Sequence, residues 1–249
     1  MGIGFLDAAQ SSADVRVVSV IDPAAPALPD VAAFASHVPE ALHGVDVVVD
    51  FSSPQGFEHS VDLSCDAGIP IVSGVTGVLA QSMASIRQRV SESQNVLVWA
   101  PNFSPGVAAF IQAAALLCRT LPGYDLEIVE MHHRHKADAP SGTASRLAQI
   151  VMENGQKSGL VHGRVGSSVR GNEVGVHAVR AGDFPGEHLL IVAGSGEHVE
   201  LRHSAHSRAC FAQGAILAVR FVHQAAPGVY GMDEVLAAQA AVSTTVSGE

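Results

Sequence analysis

Two hydrophobic rhythms follow one another along the chain. Through the first hundred residues, short apolar runs rich in β-branched side chains recur at Val15 to Ile21, Val45 to Phe51, Ile69 to Ser73 and Val96 to Trp99. Continuous runs of this length predict parallel strands buried on both faces, with helical or loop segments between them. Each run ends in small or polar residues: Asp22-Pro23, Ser52-Ser53-Pro54, Gly74-Val75-Thr76-Gly77 and Ala100-Pro101-Asn102-Phe103-Ser104. An open α/β sheet binds its ligands at such carboxyl ends.

Beyond Pro105 the rhythm changes. An Ala/Leu-rich helix is expected to about Leu121, closed by Pro122-Gly123, then a strand from Leu126 to Met131. From Thr143 to about Asn154, Ala144, Leu147, Ala148 and Val151 fall at helical spacing. Three more strands are expected at Val174 to Arg180, His188 to Ala193 and His198 to Ser204. The last alternates, with Val199, Leu201 and His203 on one face and Glu200, Arg202 and Ser204 on the other, which predicts a half-exposed antiparallel or mixed sheet. Arg208 to Gln224 returns to a helix with Phe211, Ala215, Ala218 and Val222 on one stripe, and the Ser/Thr-rich tail after Val242 is expected to fray. No internal repeat is visible.

Composition narrows the function. A formal charge of −10, with only 14 Lys and Arg in 249 residues, argues against a nucleic-acid partner. Cys65, Cys118 and Cys210 are scattered and odd in number, which indicates neither a disulfide framework nor a zinc knuckle and fits a reducing cytoplasm. The longest apolar stretch, Val107 to Cys118, is interrupted by Gln112 and falls short of the roughly 18 residues of a spanning helix. No targeting signal is evident at the N-terminus, and no membrane partner is expected.

Against this acidic background one basic loop stands out. Glu130-Met131-His132-His133-Arg134-His135-Lys136-Ala137-Asp138-Ala139-Pro140-Ser141-Gly142-Thr143-Ala144 joins proton donors, cations and a helix start. Three histidines and a lysine so close together repel one another when charged, so some imidazoles are expected to stay neutral until an anion binds. Pro140-Ser141-Gly142-Thr143 ahead of a helix offers backbone N–H groups to a carboxylate or phosphate, with Ser141 or Thr143 as cap or ligand contact. A metal site is the competing reading of His133-x-His135 and Asp138. Asp138 comes one residue late for that motif, no histidine follows it, and Lys136 sets a cation beside the metal, so no metal is expected. Ser141 lacks a nucleophile elbow. Asp22, ending the first run, occupies the place where a dinucleotide fold puts a ribose-binding acid, and it is equally an ordinary turn former.

The run from Glu130 to Ala144 closely resembles the E-x-H-H-x-x-K-x-D-x-P-S-G-T-A signature of the 4-hydroxy-tetrahydrodipicolinate (dihydrodipicolinate) reductase family of bacterial lysine biosynthesis. The resemblance extends over most of the chain: Val47 to Ser52 is similar to the family's V-D-F-T segment, Gly74 to Gly77 to its G-T-T-G, and Ala100 to Ser104 to its A-x-N-F-S. Val179 to Asp183, Gly186-Glu187-His188, Ser207-Arg208 and Phe211-Ala212 resemble its later segments. The family implies an α/β chain with a Rossmann-like dinucleotide-binding domain at 1–104 and 208–249 and an inserted α/β substrate-binding and tetramerisation domain at 105–207. It implies a reductase in which NADH or NADPH gives hydride to a cyclic dicarboxylate. His132 then resembles the proton donor or acceptor and Lys136 the proton donor, while His133, Gly142 and Thr143 contact substrate carboxylates. Gly74, Val75 and Thr76, with Ala100, Pro101, Asn102 and Phe103, line the nicotinamide side, and Asp22 takes the ribose position.

Two departures from the family stand out. Its opening strand and G-x-x-G-x-M-G loop are matched only by Met1-Gly2, so either the functional protein is longer or this is a truncated, non-catalytic relative that still binds a dicarboxylate and oligomerises. Pro23 follows Asp22 where many relatives have a basic residue for the 2′-phosphate, which predicts NADH used at least as well as NADPH.

Overall fold

A computed structural model describes residues 1–24 and 28–246. The chain folds as two compact units, Met1–Pro105 with Ala209–Glu249, and Gly106–Arg208.

The first unit opens with helix α1 (Gly2–Gln10), followed by strands β1 (Ser19–Ile21) and β2 (Ala32–Phe34) and a short 3-10 turn at Pro39–Leu42. Strand β3 (Val48–Asp50), helix α2 (Pro54–Ala67), β4 (Ile71–Ser73), α3 (Ala80–Glu92) and β5 (Val96–Trp99) complete its amino-terminal part. Helix α2 shows how local chemistry sets these elements. The Ser53 hydroxyl accepts from the Gly56 amide, Pro54 opens the helix, and Gly68 closes it at φ 66°, a left-handed conformation that favours glycine.

The expected strands are present, three of them shorter than their apolar runs and the fourth, β5, matching Val96 to Trp99. Only Ser19–Ile21 of the first run and Val48–Asp50 of the second are strand, because only three residues of each find ladder partners. The parallel strands also fall into two sheets. β3, β4 and β5 share one with a later strand, while β1 and β2 pair only with each other among the described residues. Phe57, Val61, Ile71, Val75, Ile86, Val90 and Leu97 form the core beneath α2 and α3.

The second unit contains α4 (Pro105–Thr120), β6 (Asp125–His132), α5 (Gly142–Asn154), β7 (Leu160–His162), β8 (Val174–Arg180), β9 (Glu187–Ala193) and β10 (His198–Ser204). Its five-stranded mixed sheet has the order β10-β9-β6-β8-β7. β6 runs parallel to β8 and antiparallel to β9, and α4 and α5 cover one face through Phe110, Ala114, Leu147 and Val151. Strand periodicity places Leu126, Ile128, Glu130 and His132 on that covered face and Glu127, Val129 and Met131 on the other. Two hydrocarbon positions are thus followed by a carboxylate and an imidazole on the same buried stripe.

The chain returns to the first unit with α6 (Ala209–Val222), β11 (Gly228–Tyr230), which joins the four-stranded sheet beside β5, and α7 (Met232–Val246). Helix α7 continues past Val242, where the tail was expected to fray, to Val246. Residues 247–249, also part of that expectation, lie outside the described residues. No helix among the described residues is long and apolar enough to cross a membrane.

Candidate active site

The carboxyl end of β6 and the start of α5 assemble a polar cluster from distant parts of the sequence. Glu130 is fully buried. Register puts it opposite Ala178 on β8 and His188 on β9, and puts His132 opposite Arg180. The Arg180 guanidinium reaches back to Glu130 in a two-pronged contact, Nη1 to Oε2 at 3.0 Å and Nη2 to Oε1 at 2.8 Å. Glu130 Oε1 also accepts from the Ser141 amide at 3.1 Å, and Oε2 accepts from His132 Nδ1. One carboxylate therefore ties together an imidazole, a guanidinium and the N-cap of α5. The ring of His188 stands edge-on to that of His132, and His203 follows it across β10.

Burial dominates the electrostatics. Glu130 is pushed up by burial, but the Arg180 guanidinium, His132 and the Ser141 amide more than offset this and hold it below the usual glutamate value. Burial pushes His132 down, Glu130 opposes that, and the Lys136 and Arg180 charges add smaller downward effects. The neutrality expected from mutual repulsion in the loop thus has a different main cause. His188 is pushed down to about 4 by burial, then by the neighbouring His132 and His203. His203 is likewise lowered by burial.

The loop beyond His132 borders an open cleft of about 750 Å³ lined by His133, Arg134, His135, Gly182, Asp183, Pro185 and Arg208. The backbone amides of His133 and Arg134 donate to Phe184 and Gly182 carbonyls and pin one wall to the other. Four basic side chains against one carboxylate make the cleft suited to an anion. Lys136 pairs with Asp138 at 2.8 Å, which holds the Asp138 carboxyl below its ordinary value. Of the two candidate caps, Ser141 takes the role, its hydroxyl accepting from Ala144 at 3.2 Å, with Gly142 and Thr143 as the first two helical residues. A Cβ on Gly142 would meet nothing within 4 Å, so a ligand can approach the backbone there. Among the described residues no cluster of His, Cys, Asp and Glu is placed to hold a metal ion.

The remaining candidates belong to the first unit, where carboxyl ends of parallel strands carry them. Asp22 follows β1, exposed, and its carboxylate accepts from the Ala24 amide at 2.8 Å, so the turn role is occupied. After β4, a Cβ on Gly74 would lie 2.6 Å from the Phe51 ring, which makes glycine the residue that fits. Val75 is buried in the core and its carbonyl accepts from the Trp99 indole, while Thr76 is exposed. After β5, Ala100 and Phe103 are buried, Pro101 is exposed, and the Asn102 side chain accepts from the Ser104 amide. The side chains of Val75, Ala100 and Phe103 are packed inward, which leaves backbone as what these positions can present. Asp50, ending β3, is buried, and its Oδ2 has no hydrogen-bond partner among the described residues. An orphaned acceptor at a strand end, beside a loop kept small by Gly74, fits a ligand rich in hydroxyl and amide donors such as a dinucleotide.

Two family descriptions match nearly the whole chain: dihydrodipicolinate reductase, N-terminus, over residues 1–103, and dihydrodipicolinate reductase, C-terminus, over residues 106–236. The chain belongs to the dihydrodipicolinate reductase family. It is 41% identical over 191 residues to the 4-hydroxy-tetrahydrodipicolinate reductase of Methanosarcina barkeri, covering 77% of this chain and 73% of that one. With the enzyme of that name from Methanothermobacter thermautotrophicus it shares 42% over 197 residues, covering 77% and 72%. Among solved structures, the dipicolinate-bound dihydrodipicolinate reductase from Paenisporosarcina sp. TG-14 superposes with a TM-score of 0.79 at 24% identity, covering 94% of both chains, which shows a common fold.

In this member of the family the structure adds residues that the sequence left without a role: Glu130 as the hub, Arg180 as its counter-ion, and His188 and His203 behind them. A signal for Glu130 was present. It shares the parity of Leu126 and Ile128 in an alternating strand, and a carboxylate at a core-facing position needs a partner. Nothing in the linear spacing points to Arg180 or His188, which arrive through register.

Proposed function

We propose that this chain reduces 4-hydroxy-tetrahydrodipicolinate, a cyclic dicarboxylate, to tetrahydrodipicolinate in the diaminopimelate route to lysine. The carrying observation is the Glu130–His132–Arg180 cluster at the start of α5, beside a cleft lined with basic side chains, in a chain of this family. A bound reduced nicotinamide dinucleotide supplies the hydride. Asp22, Gly74 to Thr76 and Ala100 to Phe103 hold that group, with the orphaned Asp50 oxygen as a further acceptor. His132 exchanges a proton through Nε2 and Lys136 donates one, its charge stabilised by the substrate's own carboxylates. His133 and the Gly142-Thr143 amides at the start of α5 bind those carboxylates, where the helix dipole favours negative charge.

A non-catalytic relative that merely binds a dicarboxylate is the less favoured reading, because the proton-handling residues are present and assembled. NADH serves at least as well as NADPH, since Asp22 followed by Pro23 sets a carboxylate and no cation near the 2′ position. The protein works in the cytoplasm as a homotetramer. Supporting assembly, the sheet face away from α4 and α5 carries Val129, Met131, Val179, Leu189 and Ile191, together with the Glu127–His177 pair and Arg202.

The test is cofactor oxidation with enzymatically generated substrate, using each dinucleotide in turn, alongside calorimetric binding of pyridine-2,6-dicarboxylate. Turnover with NADH equal to or above that with NADPH is expected. Dicarboxylate binding without turnover would favour the non-catalytic reading.

A further inference from the structure

Glu130 costs the fold something, and that cost needs a reason. A fully buried carboxylate must be desolvated, and a buried ion pair such as Glu130–Arg180 is on average no more stabilising than a well-packed apolar pair. What the pair supplies instead is geometry. Held as a carboxylate by Arg180, Glu130 has no proton to give and can only accept. The nitrogen facing it, Nδ1 of His132, must then carry the hydrogen, which leaves Nε2 as the nitrogen that gains and loses a proton. Nε2 points toward Gly186, where φ is 153° and a Cβ would stand 3.1 Å away, so glycine keeps that side of the ring clear. The second Glu130 oxygen meanwhile accepts from Ser141, the residue that caps α5.

We infer that Glu130 is the positioning residue of this site: it fixes the tautomer and direction of the His132 ring and, through Ser141, ties that ring to the helix start that receives the substrate carboxylate. The inference rests on the reading of His132 as the proton exchanger. Arg180 serves Glu130 rather than the substrate, since its Nη atoms are taken by Glu130 and by the Val179 and Asp138 carbonyls. The charged and titratable groups around His132 are Glu130 on its own strand, Lys136 in the following loop, Arg180 on β8, and His188 on β9 with His203 behind it on β10. Only Glu130 among them favours the imidazolium.

Nitrogen-15 NMR of the histidines tests this in the intact chain. In the wild type the neutral His132 ring is expected as the Nδ1–H form. In Glu130→Gln the amide NH2 can donate to Nδ1, so the Nε2–H form should appear. The pH at which His132 titrates should fall, and the limb of the kcat profile that His132 controls should move to lower pH with it. Turnover should drop at least roughly tenfold and at most by the roughly ten-thousandfold that loss of His132 itself would cost, with KM changing far less. Glu130→Asp keeps the charge but shortens the reach, and should recover part of the pH profile. A wild-type His132 found as Nε2–H overturns the proposal without any variant. So does a folded Glu130→Gln, judged by unchanged pyridine-2,6-dicarboxylate binding, whose tautomer and pH profile match the wild type. His132→Asn separates this from the underlying reading. Full turnover in that variant sinks the proton-exchange role, whereas lost turnover there beside an unaltered Glu130→Gln sinks the Glu130 proposal alone.

Discussion

The two units place their polar chemistry in opposite ways. In Gly106–Arg208 the candidate reactive groups are side chains: Glu130 and His132 continue the buried stripe of Leu126 and Ile128, and Lys136 follows in the loop beyond β6. In the other unit the candidate contacts stand at strand ends, and several of them, Val75, Ala100 and Phe103, have side chains committed to the core. A nucleotide-binding sheet offers backbone, so it needs small residues and particular turns; a proton-transferring site needs particular side chains with controlled pKa values. Substitutions should therefore hurt the two units through different observables: turnover and pH dependence in one, packing and cofactor affinity in the other.

The largest effect expected is on turnover. His132→Ala should lower kcat roughly a hundred- to ten-thousandfold, the range of a lost general acid or base, with a stability loss of about 1–3 kcal/mol because the buried Glu130 carboxylate loses a partner. Lys136→Ala should likewise act mainly on kcat, because its ion pair with the more exposed Asp138 contributes little to folding. Steady-state kinetics and thermal melts on the same preparations decide this. A His132→Ala enzyme at full rate would erase the contrast between the units.

Next comes a pH effect that the side-chain site contributes through His188. His188 titrates at about 4 in the fold against an ordinary value of 6.5, so between those pH values the unfolded chain binds the extra proton. Stability rises with pH wherever that is so. The contribution of neutral His188 is intact above about pH 6.5, drains away as pH falls toward 4, and reaches a loss on the order of 3 kcal/mol. Urea unfolding at pH 4.5 and pH 8 should show a smaller acid loss in His188→Gln than in the wild type. An identical loss in both would mean that His188 is not buried neutral.

What could be read from the sequence follows the same division. Strands β8 and β10 have the bounds that alternation predicts, and Val199, Leu201 and His203 do share a face, because a sheet covered on one side imprints its period on the sequence. The run from Glu130 to Thr143 announced itself since its chemistry is contiguous. Arg180 and His188 did not, being 50 and 58 residues from Glu130 in the chain and brought to it by β6 register. Strands β2, β7 and β11, three residues each, are too short to show any period. The division of the parallel strands into two sheets is likewise invisible to apolar patterning, which registers burial but not which edge pairs with which.

For the backbone-built unit, Gly74→Ala is the sharper probe. The added methyl would lie 2.6 Å from the Phe51 ring and 3.1 Å from that of Phe103. Phe103 is buried and the half-buried Phe51 ring stands edge-on against it, so neither steps aside cheaply and a cost of about 1–3 kcal/mol is expected. The KM for the dinucleotide should rise, while the titration of His132 stays as in the wild type. A variant with normal stability and normal cofactor KM would show that the loop after β4 is not a close-approach site.

The smallest effect joins the two kinds of chemistry at one residue. Ser141 is both a helix cap, its hydroxyl accepting from Ala144, and a donor to Glu130 through its backbone amide. Ser141→Ala removes the first contact, together with the hydroxyl's 3.5 Å contact with His188 Nε2, and leaves the second, since alanine keeps the amide. Loss of a cap costs about 1 kcal/mol, and that loss should appear in urea unfolding. Because the amide still donates to Glu130, the His132 tautomer and the pH profile should not move. If they do shift with the cap alone, the start of α5 is held by Ser141 more than by Glu130, and the ring and the helix are coupled through the hydroxyl.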